Sequence, residues 1–246
     1  MSKHISLAVL SFLGLPRAIW YIMIHPRIML YILIILIINI VTFGLVVFVF
    51  FGLISDLISE IAIQSEVVVL LVQIFIGTLS LVFAILIFNS VSITVSSPLY
   101  SAIAERVAND KGIPVPARLR YQSLRDFWYS IEFELKKLFL SLIILILTLP
   151  LNLIPAIGQV IYGIINPLQI IIFNGLDLFE PAAARKQLSF RSKLWRIIKI
   201  PTYWPYLFMA GTLTSIPFLN VVTIPVAVVG GILVYNDHEK YANSSN

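Results

Sequence analysis

Residues 138–176 read LFLSLIILILTLPLNLIPAIGQVIYGIINPLQIIIFNGL, 39 positions without a charge, broken near the middle by Ile154-Pro155. Residues 200–236, IPTYWPYLFMAGTLTSIPFLNVVTIPVAVVGGILVYN, repeat the arrangement over 37 positions, with the break at Ile216-Pro217. Each break lies in a run too apolar to be a surface loop. Inside lipid, a break leaves backbone N–H and C=O groups without an intrahelical partner, which is costly unless protein or a wet cavity satisfies them. Paired breaks therefore point to where a solute would cross.

Composition agrees with a chain that lives in lipid. Hydrophobic residues make up 59% of the 246 positions and charged residues 12%, with a mean hydropathy of +0.98. Soluble domains carry roughly 25% charged residues. An integral membrane protein of one domain is expected. The apolar run Ile5 to Leu15 is short, follows only Lys3 and His4, and lacks a small-residue cleavage site before Arg17, so no signal peptide is expected. There is no cysteine, which excludes disulfides, thiol catalysis and iron–sulfur ligation.

Charge clustering supplies the topology. Arg27 to Asp56 encloses 28 uncharged residues and Glu66 to Glu105 encloses 38; about 20 suffice to span a bilayer. Two long spanning helices follow, joined by a turn carrying Asp56, Glu60 and Glu66. The segment 105–137 holds Arg106, Lys111, Arg118, Arg120, Arg125, Lys136 and Lys137, and 185–199 holds Arg185, Lys186, Arg191, Lys193, Arg196 and Lys199. Both later uncharged stretches thus begin and end beside charge on the basic side and must go in and come back. All 17 basic residues then fall on one face, which the positive-inside rule makes cytoplasmic.

Arm lengths separate two forms of hairpin. Leu138 to Ile154 is 17 residues, about 25 Å, and Thr202 to Ile216 is 15, about 22 Å, against a hydrocarbon core of about 30 Å. The tips carry no charge. Re-entrant hairpins fit these lengths; ordinary spans with tight turns at Pro155 and Pro217 are the alternative. Polar residues punctuate both: Pro150, Asn152, Pro155, Gly158, Gln159, Asn166 and Pro167 in the first, Pro217, Asn220, Thr223, Pro225 and Gly230-Gly231 in the second. Such amides either line a path or hydrogen-bond a neighbouring helix.

Two stretches read as interfacial. In 186–200 Phe190, Leu194, Ile197 and Ile198 share a helix face, with Arg191, Lys193, Arg196 and Lys199 around the remainder. Ile5 to Ile24, with Pro16-Arg17 midway, reads as a second surface helix that enters the first span through His25-Pro26-Arg27. Between the membrane segments, Asn109-Asp110-Lys111-Gly112-Ile113-Pro114-Val115-Pro116 is a turn signal joining two cytoplasmic helical extensions. Glu132 and Lys136 are spaced i, i+4 for an ion pair. Basic residues in such positions also anchor lipid headgroups.

Reactive chemistry has no constellation here. His4, His25 and His238 are scattered, and HExxH, GxSxG and Walker patterns are absent. No metal, cofactor or nucleic-acid partner is expected. The uncharged spans contain no carboxylate, so a buried proton relay has no obvious members.

Several ordered motifs resemble the CysZ sulfate transporter family and the broader membrane family containing it. Ser97-Pro98-Leu99-Tyr100-Ser101-Ala102-Ile103-Ala104-Glu105-Arg106-Val107 is similar to that family's "PF...LAE.VE" element, with Gly112 in its usual place. Glu134-Leu135-Lys136-Lys137-Leu138 resembles the segment entering the first hairpin, and Ile154-Pro155-Ala156-Ile157-Gly158-Gln159 its "IPGIGQ" turn. Asp177 with Phe190-Arg191 resembles "DYP...F". Ile216-Pro217-Phe218-Leu219-Asn220 with Ile224-Pro225-Val226-Ala227-Val228-Val229-Gly230 resembles "IP.LN...MPVAV.GAT". The resemblance covers nearly the whole chain. It implies an all-α membrane fold of two long transmembrane helices, two partly penetrating hairpins and interfacial helices, assembled as a homo-oligomer. It also implies sulfate uptake across the bacterial inner membrane for cysteine synthesis.

On that basis the segments are 1–27 (interfacial helix), 28–104 (two long transmembrane helices), 105–137 (cytoplasmic extension), 138–176 (first hairpin), 177–200 (basic interfacial helix), 201–236 (second hairpin) and 237–246 (tail). Arg27 and His25 are the expected anion-binding pair. Pro155, Gly158, Gln159, Pro217, Asn220 and Pro225 mark the path or tips, and Glu105, Arg106, Glu134, Lys137 and Asp177 form a structural charge network. One departure stands out: the family's sulfate-contacting Gly-Ile/Leu-Arg-Arg turn is His25-Pro26-Arg27-Ile28-Met29 here. Pro26 removes a backbone donor that a helix N-terminus would offer an oxyanion. A non-transporting membrane organiser of the same fold is therefore the second expectation, and a membrane enzyme the third.

Overall fold

The computed structural model describes residues 2–59, 66–114, 122–186, 188–216 and 219–243. The expectations at Glu60, Pro116, Arg118, Arg120, Pro217 and Phe218 fall outside the described residues. Within them, every regular element is helical. The protein is an all-α membrane protein. Pro26–Phe50, Ile157–Ala184 and Asn220–Ala242 are long and apolar enough to cross a bilayer among the described residues.

The N-terminal apolar stretch is two helices rather than one. α1 (Ser2–Phe12) and α2 (Gly14–Ile24) meet at 61°, three residues before the Pro16-Arg17 midpoint that the sequence offered. Pro16 sits in the first turn of α2, where a missing N–H breaks no intrahelical bond. The bend comes at Leu13, beside Gly14, whose Cβ would lie 2.5 Å from the Tyr206 ring, so only glycine admits that ring. His25 is extended (φ −119°, ψ 90°), as residues before proline prefer, and α3 (Pro26–Ser59) begins on Pro26.

α3 packs along α4 (Glu66–Asp110). Their 34 and 45 residues correspond to about 51 and 68 Å of helix. Gly112, at φ +67°, closes α4: the Ile113 N–H reaches the Ala108 carbonyl at 2.9 Å and the Gly112 N–H that of Asn109 at 3.0 Å. This is the glycine-terminated helix end that the turn signal predicts.

α5 (Gln122–Thr148) runs through Lys137 without interruption, so the segment before Lys137, expected as a separate extension, and the first arm are one helix. A 3₁₀ turn over Leu149–Leu153 and the Ile154-Pro155-Ala156 turn lead into α6 (Ile157–Ala184). α7 (Phe190–Lys199) starts on Ser189, whose hydroxyl accepts the Ser192 N–H at 3.3 Å. A 3₁₀ turn (Pro201–Tyr203) leads to α8 (Trp204–Thr214), and α9 (Asn220–Asn243) completes the described chain.

α9 is the hub, in contact with α2, α3, α4, α6 and α8. Its neighbours approach closely because glycines face them. A Cβ on Gly231 would stand 2.3 Å from the Leu178 carbonyl oxygen of α6, and one on Gly230 would stand 3.0 Å from the Gly14 carbonyl oxygen of α2. Small residues admit close helix crossings where lipid supplies no hydrophobic drive. Phe179, Tyr203, Tyr206 and Tyr235 fill the adjoining core, with Phe179 and Tyr203 ring centroids 4.8 Å apart.

Candidate functional site

Ion pairs gather at one end of the bundle, where α5 enters and α6 and α9 leave. Lys137 on α5 places its Nζ 2.7 Å from both Asp177 oxygens and 2.8 Å from Glu134 Oε2. All three are buried. One turn along α6, Glu180 accepts from Lys193 of α7 at 3.0 Å, and that ammonium also lies 4.8 Å from the Phe133 ring centre. Lys193 was expected on the solvated side of an interfacial helix; it faces inward and is 3% exposed. Its carboxylate partner explains this, since a buried ammonium persists only when paired. The bundle thus buries carboxylates that hydropathy alone did not place.

α9 collects a second set. Asp237 pairs with Arg17 at 2.7 Å and with Lys111, while Glu239 pairs with Lys186 at 2.8 Å. The Arg185 guanidinium donates to Asn236 and stands 4.0 Å from Glu239. Burial pushes Arg185 down from its ordinary value, and Glu239 opposes that shift. Of the five residues expected to form one charge network, Glu134, Lys137 and Asp177 meet. The Glu105 charge favours the charged form of Arg185, and the Arg106 charge acts on the Tyr21 hydroxyl.

The first break is a tight turn built on a strained residue. Ile157 N–H donates to the Pro155 carbonyl at 2.8 Å across Ala156, which has φ 61° and ψ −71°, a γ-turn of the rare positive-φ kind. A Cβ on Gly158 would meet the Leu151 carbonyl oxygen at 1.9 Å, so only glycine fits beneath the 3₁₀ turn. Pro155 and Gln159 are exposed. Asn166 donates to the Tyr162 carbonyl one turn back, and Gln169 reaches Ser141 of α5 at 2.5 Å.

At the second break Asn220, 1% exposed, starts α9, and Pro225 is buried five residues later. Pro225 has no N–H to give the Val221 carbonyl four residues back. Asn39, mid-way along α3 and fully buried, donates to that carbonyl at 3.2 Å, and Ser92 of α4 donates to Asn39 Oδ1. Three helices are thereby joined at the atom that proline orphans. Asn174 on α6 likewise reaches Ser215 at 2.9 Å and the Gly211 carbonyl at 3.3 Å on the α8 side. These amides act as interhelical hydrogen-bonders. Asn39 is the lone Asn or Gln in its 28-residue uncharged run, and that isolation was the available signal.

The expected anion pair is split. Arg27 is exposed on the first turn of α3, with no hydrogen bond or ion pair among the described residues. His25 turns the other way. Its Nδ1 lies 2.8 Å from the Tyr21 carbonyl, its ring 4.0 Å from that of Tyr21, and its Nε2 3.6 Å from Asp110 Oδ2. Tyr21 and Asp110, neither predicted, complete this corner.

Comparison with known proteins places the chain. No curated protein matches it. The model of the family described as "Sulfate transporter CysZ/Etoposide-induced protein 2.4" matches residues 15–225. The match begins in α2 and ends on Pro225, so it includes the elbow at His25, both long helices and both breaks. The protein belongs to the sulfate transporter CysZ/etoposide-induced protein 2.4 family.

Proposed function

We propose that this protein is a CysZ-like permease or channel passing sulfate or a related oxyanion across the bacterial inner membrane, supplying sulfate for cysteine synthesis. The observation that carries this reading is the family match across both breaks. Arg27, exposed where α3 begins, is the entry charge, and the basic end of the bundle faces the cytoplasm.

The hairpins penetrate part-way. Asn39 lies 12 residues, about 18 Å, above Arg27, and it meets Val221 one residue into α9; α3 continues another 20 residues, about 30 Å, to Ser59. The second tip therefore stops well below the far end of α3. Lipid or a second copy of the chain covers the outward apolar face of the first hairpin, where Leu153, Ile157 and Val160 are exposed, and we assign it to a homo-oligomer.

Radiolabelled sulfate uptake into proteoliposomes, with competing anions, tests the reading. Uptake above protein-free vesicles that falls several-fold in Arg27→Ala is expected. Uptake no greater than in empty vesicles refutes transport. Unchanged uptake in Arg27→Ala refutes the entry role alone. A non-transporting membrane organiser is the second reading, favoured by the single cation in place of an Arg-Arg turn and by Asp110 beside His25.

A further inference from the structure

We propose that the Asp110 carboxylate is an internal stand-in for the oxyanion: it occupies the donors at the elbow between α2 and α3, and it sets the affinity of that corner because it must leave before an anion can bind. This deepens the transport reading and rests on it for the identity of the anion.

Three elements converge there. Tyr21 on α2 donates its hydroxyl proton to Asp110 Oδ2 at the end of α4, and His25, in the linker between α2 and α3, points Nε2 at the same oxygen from 3.6 Å. The tautomer follows from the other ring nitrogen. Nδ1 lies 2.8 Å from the Tyr21 carbonyl, and a carbonyl only accepts, so Nδ1 carries the proton. Nε2 then faces Asp110 with a lone pair when the ring is neutral and with an N–H when it is protonated. The Arg106 guanidinium, one turn before Asp110, acts on the Tyr21 hydroxyl, and its Nε is buried without a hydrogen-bond partner among the described residues. The other charges on these elements are engaged elsewhere or point outward: Arg17 and Lys111 are paired with Asp237, and Arg27 is exposed.

Removing the carboxylate leaves the Tyr21 phenol and the His25 imidazole around one position. That pair suits an oxyanion when the ring is protonated: the phenol offers O–H, Nε2 offers N–H, and charge assistance strengthens the bond. The corner is reachable, with 30% of the His25 side chain and 38% of the Asp110 side chain exposed. Asp110 is also poorly placed as a helix stabiliser. It lies at the C-terminus of α4, where the helix dipole disfavours a negative charge. Its position is accounted for by what it contacts, and a sulfate oxygen makes the same contacts.

The test is sulfate affinity in the full-length protein, measured both by concentration-dependent uptake into proteoliposomes and by calorimetric binding in detergent. Asp110→Asn keeps the shape and removes the charge, and Asp110→Ala removes the competing oxygens. We expect both to bind sulfate about tenfold more tightly, equivalent to about 1.4 kcal/mol. Adding Tyr21→Phe to Asp110→Asn should reverse most of that gain. Unchanged or weaker binding in whichever Asp110 variant folds overturns the proposal, because a merely structural clamp does not strengthen anion binding when cut. If sulfate binds more tightly in the variants while no form transports it, the site stands and the transport reading falls. If the wild type transports sulfate and the variants match its affinity, transport stands and the stand-in falls.

Discussion

The two hairpins carry the same Ile-Pro break in similarly apolar sequence, yet they sit in opposite surroundings. In α9, the return arm of the second, 78% of the apolar window is buried, against 11% in α6, the return arm of the first. α6 is itself divided. Its tip-side half exposes Ile157, Val160 and Ile164, whereas Gly175 to Ala183 are all buried. The first hairpin is thus held at its base by Lys137, Asp177, Glu180 and Lys193, while the second is held along its length by glycine crossings and by Asn39 near its tip. Equal hydropathy does not imply equal packing.

The sharpest way to break this contrast is at the charged base. Lys137→Met leaves Glu134 and Asp177 buried without their cation and should cost about 3–5 kcal/mol, read as thermal unfolding in detergent. Replacing all three residues by apolar ones of similar size should recover much of that loss. If Lys137→Met melts like wild type, the base does not hold the first hairpin.

Glycine substitutions compare the two arms directly. Gly231→Ala pushes a methyl into the Leu178 carbonyl and should destabilise by about 1–3 kcal/mol, whereas Gly163→Ala, with nothing within 4 Å, should stay within about 0.5 kcal/mol. Equal effects would remove the asymmetry. A double-mutant cycle then examines the second tip. Asn39→Leu should cost about 1–2 kcal/mol by orphaning the Val221 carbonyl, and that cost should shrink in a Pro225→Ala background, where residue 225 regains an N–H for it. An undiminished cost would show that Asn39 acts elsewhere.

The smallest expected effect lies at the first tip. Ala156 holds φ 61° where the family's turn has glycine, so Ala156→Gly should raise stability by about 1 kcal/mol through relief of backbone strain. A lower melting temperature would mean that the turn is not strained.

Local signals carried much of the architecture. Pro26 at the start of α3, Gly112 at the end of α4 and the Ile154-Pro155 turn all follow from what a single residue's backbone permits. Partnership was less legible. Lys137 and Asp177 are 40 residues apart, and nothing along the chain says that they touch. Lys193 fits the polar side of an isolated amphipathic helix and turns inward only because Glu180 awaits it on another element. His25 was legible as a candidate because of its place beside Arg27. Its engagement with Tyr21 and Asp110 was not, since Asp110 is 85 residues away and reads as part of a solvated turn.

The hub position of α9 bears on how the protein is made. Every helix that α9 touches lies N-terminal to it, so each emerges from the ribosome and meets the bilayer before its main packing surface exists. Until then Gly14, Leu178 and Tyr206 have no settled neighbours on that side. Such late, sequence-distant closure exposes intermediates to misassembly. Chains released before Asn220 should therefore accumulate as inserted but unpacked helices, a ready target for membrane proteases.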